Sequence, residues 1–115
     1  MSPRKEKSDL LESRVEDRLT NGIKKLGGLA LKFISPGWAG APDRLVLLSS
    51  HEAFFVELKA PKRQLRALQR KRAKELAERG KYTFKADTLT KVDTLIYLLS
   101  LGCGLNHIAE RLDDL

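Results

Sequence analysis

The sequence contains a single cysteine, Cys103, and only two histidines among its 115 residues. One cysteine excludes an internal disulfide bond and is typical of a reducing, cytoplasmic environment. The cysteine and the two distant histidines provide no zinc-ligand spacing. No apolar run approaches the ~18 residues that a membrane-spanning helix needs, and the basic N-terminal segment has no signal-peptide pattern, so we expect no membrane partner. No glycine loop typical of nucleotide binding is present, and we expect no small-molecule cofactor.

What the sequence does contain is positive charge, and most of it lies in one segment. The net charge is +7, whereas residues 59–81 alone carry ten Lys or Arg and two Glu, a net charge of +8. Lys and Arg side chains that neutralise phosphates release counterions and bind DNA without sequence preference. A charge run is usually a solvated helix face, but this one directly follows an acidic strand, which favours DNA. The residues predicted to contact DNA here are Lys62, Arg63, Arg66, Arg70 and Lys74.

Residues 42–59 have the pattern of a β-hairpin, with the sequence PDRLVLLSSHEAFFVELK. Two apolar runs, at residues 45–48 and 53–58, flank a polar tetrapeptide at residues 49–52. Phenylalanine and valine, which are common in strands, are enriched in the second run. The pattern therefore predicts two neighbouring strands joined by a turn near residue 50.

An acidic residue lies at the outer end of each predicted strand. Folding the hairpin near residue 50 brings Asp43 and Glu57 to the same level, with Cβ atoms on neighbouring strands roughly 5 Å apart. An even four-residue loop would pair Asp43 with Leu58 instead, so an odd loop or a bulge is needed, and the sequence leaves both open. Lys59 points to the same face as Glu57, about 6.6 Å further along the strand.

Two carboxylates and a lysine at one end of a sheet suggest a metal-dependent site. Carboxylate oxygens bind hard cations such as Mg²⁺, and a metal-bound water ionises more easily and attacks phosphorus. Lys59 would orient that water or neutralise developing charge. The alternative for a short E-x-K string is an ordinary edge strand with a surface ion pair. The acidic residue one hairpin upstream, Asp43, favours the site.

The combination of three strings resembles the VRR-NUC family, the virus-type replication-repair nucleases of the PD-(D/E)xK superfamily. The strings are GAPDR at residues 40–44, FVELKAP at residues 55–61, and Gln69 downstream. The resemblance extends from the first helix to about Ile96, and the combination is more specific than any one part. It implies a restriction-endonuclease-like α/β fold and a DNA nuclease that depends on Mg²⁺ or Mn²⁺. The residues at the centre of such a site would be Asp43, Glu57 and Lys59.

Family resemblance also implies that an acid on the first helix completes the metal site. Glu12 and Glu16 both lie beside the apolar stripe of a helix predicted over residues 8–26. The distance in sequence from Glu16 to Gly27 and Gly28 fits the family better, and Glu12 is the second candidate. Residues 13–16 also read as a capping box, so either acid could instead lie on the helix surface. We further expect the backbone carbonyl near Leu58 to be a metal ligand.

Two more residues are candidates for contact with the substrate. Gln69 falls inside the apolar stripe of a helix predicted over residues 64–79, where a glutamine needs hydrogen-bond partners, and the family has a glutamine at this place. The alternative is a tolerated boundary residue. Trp38 lies in the turn-rich segment 35–42, where it would either stack on a base or cover the core.

The patterns together predict one domain over residues 1–115, with residues 1–7 frayed. Strands at residues 29–34 and 82–86 flank the hairpin in sequence, and a helix begins at Thr90. The predicted order is α-β-β-β-α-β-α around a small mixed sheet, with extra C-terminal helices. Two alternatives are a catalytically inactive nuclease fold that binds DNA and a helix-turn-helix-like protein, since residues 106–112 have the style of such a motif. The sequence ends at Leu115, where a recognition helix would have to follow.

The C-terminal helices also suggest how the protein assembles. Tyr97, Leu98 and Leu101 are apolar but exceed what one sheet-facing stripe requires, and the helix predicted from Leu105 to Leu112 adds more apolar residues. Large exposed apolar patches mark association sites. Symmetric resolution of a four-way junction needs two active sites on a two-fold axis. We therefore expect a homodimer that acts on branched DNA. The alternative is that these residues pack under the C-terminal tail.

Overall fold

The computed structural model describes residues 7–59 and 66–115, with side chains from Glu12 onward within those ranges. Its helices and strands follow one another in the predicted order. They are α1 (Lys7–Lys25), β1 (Leu29–Lys32), β2 (Arg44–Leu48), β3 (His51–Leu58), α2 (Ala67–Ala77), β4 (Thr83–Ala86), α3 (Leu89–Ser100) and α4 (Leu105–Asp113). Residues 1–6, most of the segment expected to fray, lie outside the described residues, and Lys7 begins α1.

The four described strands form one mixed sheet in the order β1-β2-β3-β4. The first three are antiparallel neighbours, and β4 runs parallel to β3. The parallel pair requires a crossover, and the chain segment containing α2 makes it. The predicted mixed sheet and element order are therefore confirmed.

The core lies between one face of this sheet and the helices α1, α3 and α4. On α1, Val15, Leu19 and Ile23 recur every four residues and are almost completely buried. They belong to the same apolar cluster as Phe54 and Val56 of β3. The central strand β3 is buried over its last five residues, because helices or loops cover both of its faces. Its C-terminal end is therefore removed from water even where the residue is charged.

One expectation about α3 is wrong. Leu98 is 8% exposed and belongs to the core, whereas Tyr97 and Leu101 are exposed. The physical reason is that α4 packs back on α3, so α3 has apolar neighbours on two sides. The apolar residues of α4 that were expected to add to the interface are buried too, namely Leu105, Ile108 and Leu112. Only Tyr97 and Leu101 thus remain of the apolar surface assigned to a dimer interface.

Candidate active site

The turn between β2 and β3 sets the position of the two acids. Leu48 pairs with His51, so the turn itself contains only Ser49 and Ser50, two residues fewer than the polar tetrapeptide suggested. The register then shifts by one residue between Val46 and Leu48, which is a β-bulge.

Beyond the bulge, Arg44 pairs with Val56. Continuing this register by one residue places Asp43 opposite Glu57. The sequence required an odd loop or a bulge for this convergence, and the structure contains the bulge.

Asp43 and Glu57 are in direct contact. The backbone N–H of Leu58 donates to Asp43 Oδ2 at 2.8 Å, which orients the Asp43 carboxylate toward the end of β3. Glu57 is 2% exposed. Burial, and then its hydrogen bond and charge repulsion with Asp43, raise the pKa of Glu57 from about 4.5 to about 9, although Lys59 acts in the opposite direction. Glu57 therefore retains its proton at neutral pH in the absence of a cation.

Gln69 reaches this pair from α2. Its Oε1 accepts from the backbone N–H of Arg66 at 2.9 Å, and its Nε2 lies 3.4 Å from Glu57 Oε1, at the long limit of a hydrogen bond. The glutamine on the sheet-facing side of the helix thus has the polar partners that its position requires. The structure brings together Asp43, Glu57 and Gln69, with Lys59 close enough to act on the Glu57 charge.

The two acids of α1 differ in their surroundings. Both Glu12 and Glu16 line a cleft of about 290 Å³ at this end of the sheet. Arg44 donates to Glu16 Oε1 and, through Nη1, to the backbone carbonyl of Ala30 at 3.1 Å. Glu12 contributes to the raised pKa of Glu57. The other lining residues of the cleft are Lys32, Phe33, Ile34, Asp43, Arg44 and Leu58.

Arg44 was not singled out by the sequence pattern, although it directly follows Asp43 in the GAPDR string. It joins α1 to β1 at the wall of the cleft, because its side chain reaches both Glu16 and Ala30. Within residues 7–59 and 66–115, no group of three or more His, Cys, Asp or Glu side chains is positioned to hold a metal ion.

The loop that precedes Asp43 packs against α2. Gly40 has φ of 83°, and a Cβ built there would lie 2.8 Å from Leu68 Cγ and 3.1 Å from the Leu68 backbone. Arg72 donates from Nε to the carbonyl of Ala39 at 2.8 Å, and its guanidinium stacks 5.1 Å from the ring centroid of Trp38. The half-buried Trp38 is thus held under Arg72, and its contact with DNA stays a prediction.

The structure describes only part of the predicted basic surface. Arg66, Arg70 and Lys74 are exposed and recur every four residues along α2 or at its start, which places them on one stripe beside Gln69. Lys62 and Arg63 lie outside the described residues.

The described helices were compared with the requirements for crossing a membrane. None of them combines the length and apolar character required to cross a membrane.

The geometry can be compared with known proteins. The chain matches no family model. It is similar to a solved structure described as a VRR_NUC domain, with a TM-score of 0.69 and 32% identity, over 75% of this chain and 94% of that one. It is also 50% identical over 50 residues to "Putative nuclease p44" of Acyrthosiphon pisum secondary endosymbiont phage 1. That match covers 44% of this chain, which spans about half (54%) of the length of the curated relative.

Proposed function

Because the chain belongs to the VRR-NUC family, we propose that it is a divalent-metal-dependent DNA endonuclease that hydrolyses phosphodiester bonds. The observation that supports this most strongly is the placement of Asp43 opposite the buried Glu57. Two carboxylates in contact, one of them buried, have no structural advantage, because their charges repel. A bound cation would compensate both.

The donor set fits a hard cation. Asp43 and Glu57 supply carboxylate oxygens, the Leu58 carbonyl is the proposed third protein ligand, and Glu16 would act through water. Oxygen ligands with retained waters suit Mg²⁺, and Mn²⁺ would substitute. When bound, such a cation makes a coordinated water more acidic and stabilises negative charge on the phosphate.

The remaining residues of the site have roles toward the substrate. Lys59 lies beside the pair and would orient the attacking water or neutralise charge that develops on phosphorus. Gln69, held by the Arg66 backbone, would position that water or a phosphate oxygen. Arg44 keeps Glu16 at the wall of the cleft and thereby sets its distance from the pair.

Affinity for DNA would come mainly from the basic stripe of α2. Arg66, Arg70 and Lys74 form that stripe, and we include Lys62, Arg63 and Trp38 in the same surface from the sequence. The stripe begins one turn from Gln69, so a strand that follows it would pass the Asp43–Glu57 pair.

We further propose that the substrate is branched DNA, such as a four-way junction, and that the enzyme is a homodimer. The exposed Tyr97 on α3 and Leu101 directly after it support an interface there. Light scattering at micromolar concentration tests the dimer. A monomer mass, together with equal cleavage rates on linear duplex and junction, would contradict this part of the proposal.

The experiment that tests the function is a cleavage assay on labelled single-stranded, duplex, flap and four-way DNAs. Each DNA is incubated with Mg²⁺, Mn²⁺, Ca²⁺ or EDTA. We expect cleavage with Mg²⁺ and Mn²⁺, none with EDTA, and the highest rate on the four-way junction. DNA binding without cleavage under every condition would support the inactive nuclease fold instead.

A further inference from the structure

A second charged cluster lies beside the active site. It contains Lys85 of β4, Asp87 directly after β4, and Lys91 in the first turn of α3. Asp87 Oδ2 lies 3.5 Å from Lys85 Nζ, and its Oδ1 lies 3.1 Å from Lys91 Nζ. Asp87 is 9% exposed, so its carboxylate is held away from bulk water by two ammonium groups.

The cluster carries more positive charge than its buried carboxylate compensates. Two ammonium groups face one carboxylate, and both lysines remain partly open to solvent, at 31% for the Lys85 side chain and 19% for that of Lys91. Considering only the described residues, Asp87 Oδ1 accepts no aligned hydrogen bond despite its contact with Lys91. The lysines therefore keep donor capacity for a second anion.

The position of the cluster follows from the parallel pairing of β3 and β4. Glu57 is the register partner of Lys85, and the backbone N–H of Lys59 donates to the Ala86 carbonyl at 3.0 Å. Neighbouring strands are about 4.8 Å apart, so Lys85 lies one strand away from Glu57. Both strands end at the same edge of the sheet, where ligands of parallel strands commonly bind.

A cavity of about 300 Å³ adjoins the two lysines. Its lining includes Thr83, whose buried hydroxyl has no hydrogen-bond partner in the part of the chain that the structure describes. The ammonium groups of Lys85 and Lys91 are donors that suit phosphate oxygens. The acid in this lining, Asp113, is on α4.

We propose that Lys85 and Lys91 bind a backbone phosphate of the substrate DNA on the β4 side of the active site. Asp87 holds the two ammonium groups in place and competes with the phosphate for them. This inference rests on the DNA nuclease function proposed above. The bound strand then extends from the basic stripe on α2, past Glu57, to the cluster at the end of β4.

Because Asp87 competes with the phosphate for the lysines, substitutions of the lysines and of Asp87 should change the affinity for DNA in opposite directions. Replacing a lysine by glutamine removes a phosphate contact, whereas Asp87→Asn releases both lysines for the phosphate. A purely structural ion cluster would make both kinds of change neutral toward DNA, whatever they do to stability.

The test measures the affinity for a labelled four-way junction against salt concentration, in Ca²⁺, with thermal unfolding of every variant recorded alongside. Lys85→Gln and Lys91→Gln should each weaken binding severalfold and lower the slope of log affinity against log salt by roughly 0.9, the value for one duplex phosphate. Lys85→Arg should restore the binding. Asp87→Asn should strengthen it.

Lys25→Gln is the matched control, because it removes the same charge from the exposed last turn of α1. It should leave the slope unchanged. If Lys85→Gln and Lys91→Gln bind as the control does, the phosphate subsite is wrong while the nuclease function stands. If the wild-type protein neither binds nor cuts DNA, the proposed function itself has failed.

Discussion

Two buried carboxylates lie at the C-terminal ends of neighbouring parallel strands, and their surroundings are opposite. Asp87, after β4, is compensated by two ammonium groups, those of Lys85 and Lys91. Glu57, at the end of β3, contacts a second carboxylate, that of Asp43, and its pKa is raised to about 9. Burying a charge is costly unless a partner of opposite sign is supplied.

The difference distinguishes a functional site from an ion cluster that stabilises the fold and whose lysines can still donate to another anion. A small domain has only a few kcal/mol of net stability, so an uncompensated acidic pair is retained where it has a use. Strongly raised pKa values of acids in a cleft are typical of functional sites. Glu57 fits this description, whereas the charge of Asp87 is compensated by Lys85 and Lys91.

The largest effect should come from removing the uncompensated acid. Glu57→Gln keeps the side-chain volume but removes a metal-binding carboxylate, so Mg²⁺-dependent cleavage should fall at least about 100-fold while DNA binding changes little. Single-turnover rates and equilibrium binding measure the two. Glu52→Gln is the control, because Glu52 is an exposed acid on the same strand. Cleavage by Glu57→Gln at the wild-type rate would show that the site is misassigned.

The compensated acid should matter for stability instead. Asp87→Ala leaves two lysines without their shared partner and should lower the free energy of unfolding by about 1–2 kcal/mol, less than for a fully buried ion pair because both lysines are partly open to solvent. Urea denaturation at neutral pH measures this loss. A stability equal to that of the wild type would remove the contrast between the two carboxylates.

The pH dependence of stability should distinguish the two acids in protein treated with EDTA. Between about pH 4.5 and pH 9, Glu57 is protonated in the folded protein and ionised in the unfolded one. The folded state therefore binds more protons, and stability falls as pH rises, by at most about 1.4 kcal/mol per pH unit. Glu57→Gln should flatten this slope, measured by urea denaturation at several pH values. Asp87→Asn should leave it in place, and a flat wild-type profile would contradict the raised pKa.

The smallest effect per residue should come from the stripe of α2, because its side chains are exposed whereas the two acids are buried. Replacing Arg66, Arg70 and Lys74 together by Ala should weaken binding to DNA of any sequence. The slope of log affinity against log salt should fall by roughly 0.9 for each duplex phosphate that these side chains no longer neutralise. Binding titrations over a salt series measure it. An unchanged slope would mean that this face points away from DNA.

Much of the arrangement could be predicted because it depends on neighbours in the chain. The apolar stripe of α1 follows from helical spacing, and the hairpin follows from two apolar runs around a polar turn. Asp43, Glu57 and Lys59 follow from their places at the ends of those runs. The glutamine at position 69 followed from its place inside an apolar stripe, where it required a partner.

Other features depend on register and packing between distant segments. The bulge between Val46 and Leu48 shifts residues 44–46 of β2 by one residue relative to β3, and the sequence did not distinguish it from an odd loop. Leu98 became a core residue only because α4 folds back on α3. The partner of Glu16 is Arg44, 28 positions away in sequence.

The sequence by itself determined which residue types were available and the order in which helices and strands form. The tertiary structure alone decided which charges meet. Local periodicity acts over a few residues, whereas the cost of burying a carboxylate depends on every segment that surrounds it. Glu57 and Asp87 are both acids at or directly after the end of an apolar strand in the sequence. Only packing gives one of them a carboxylate as its neighbour and the other two lysines.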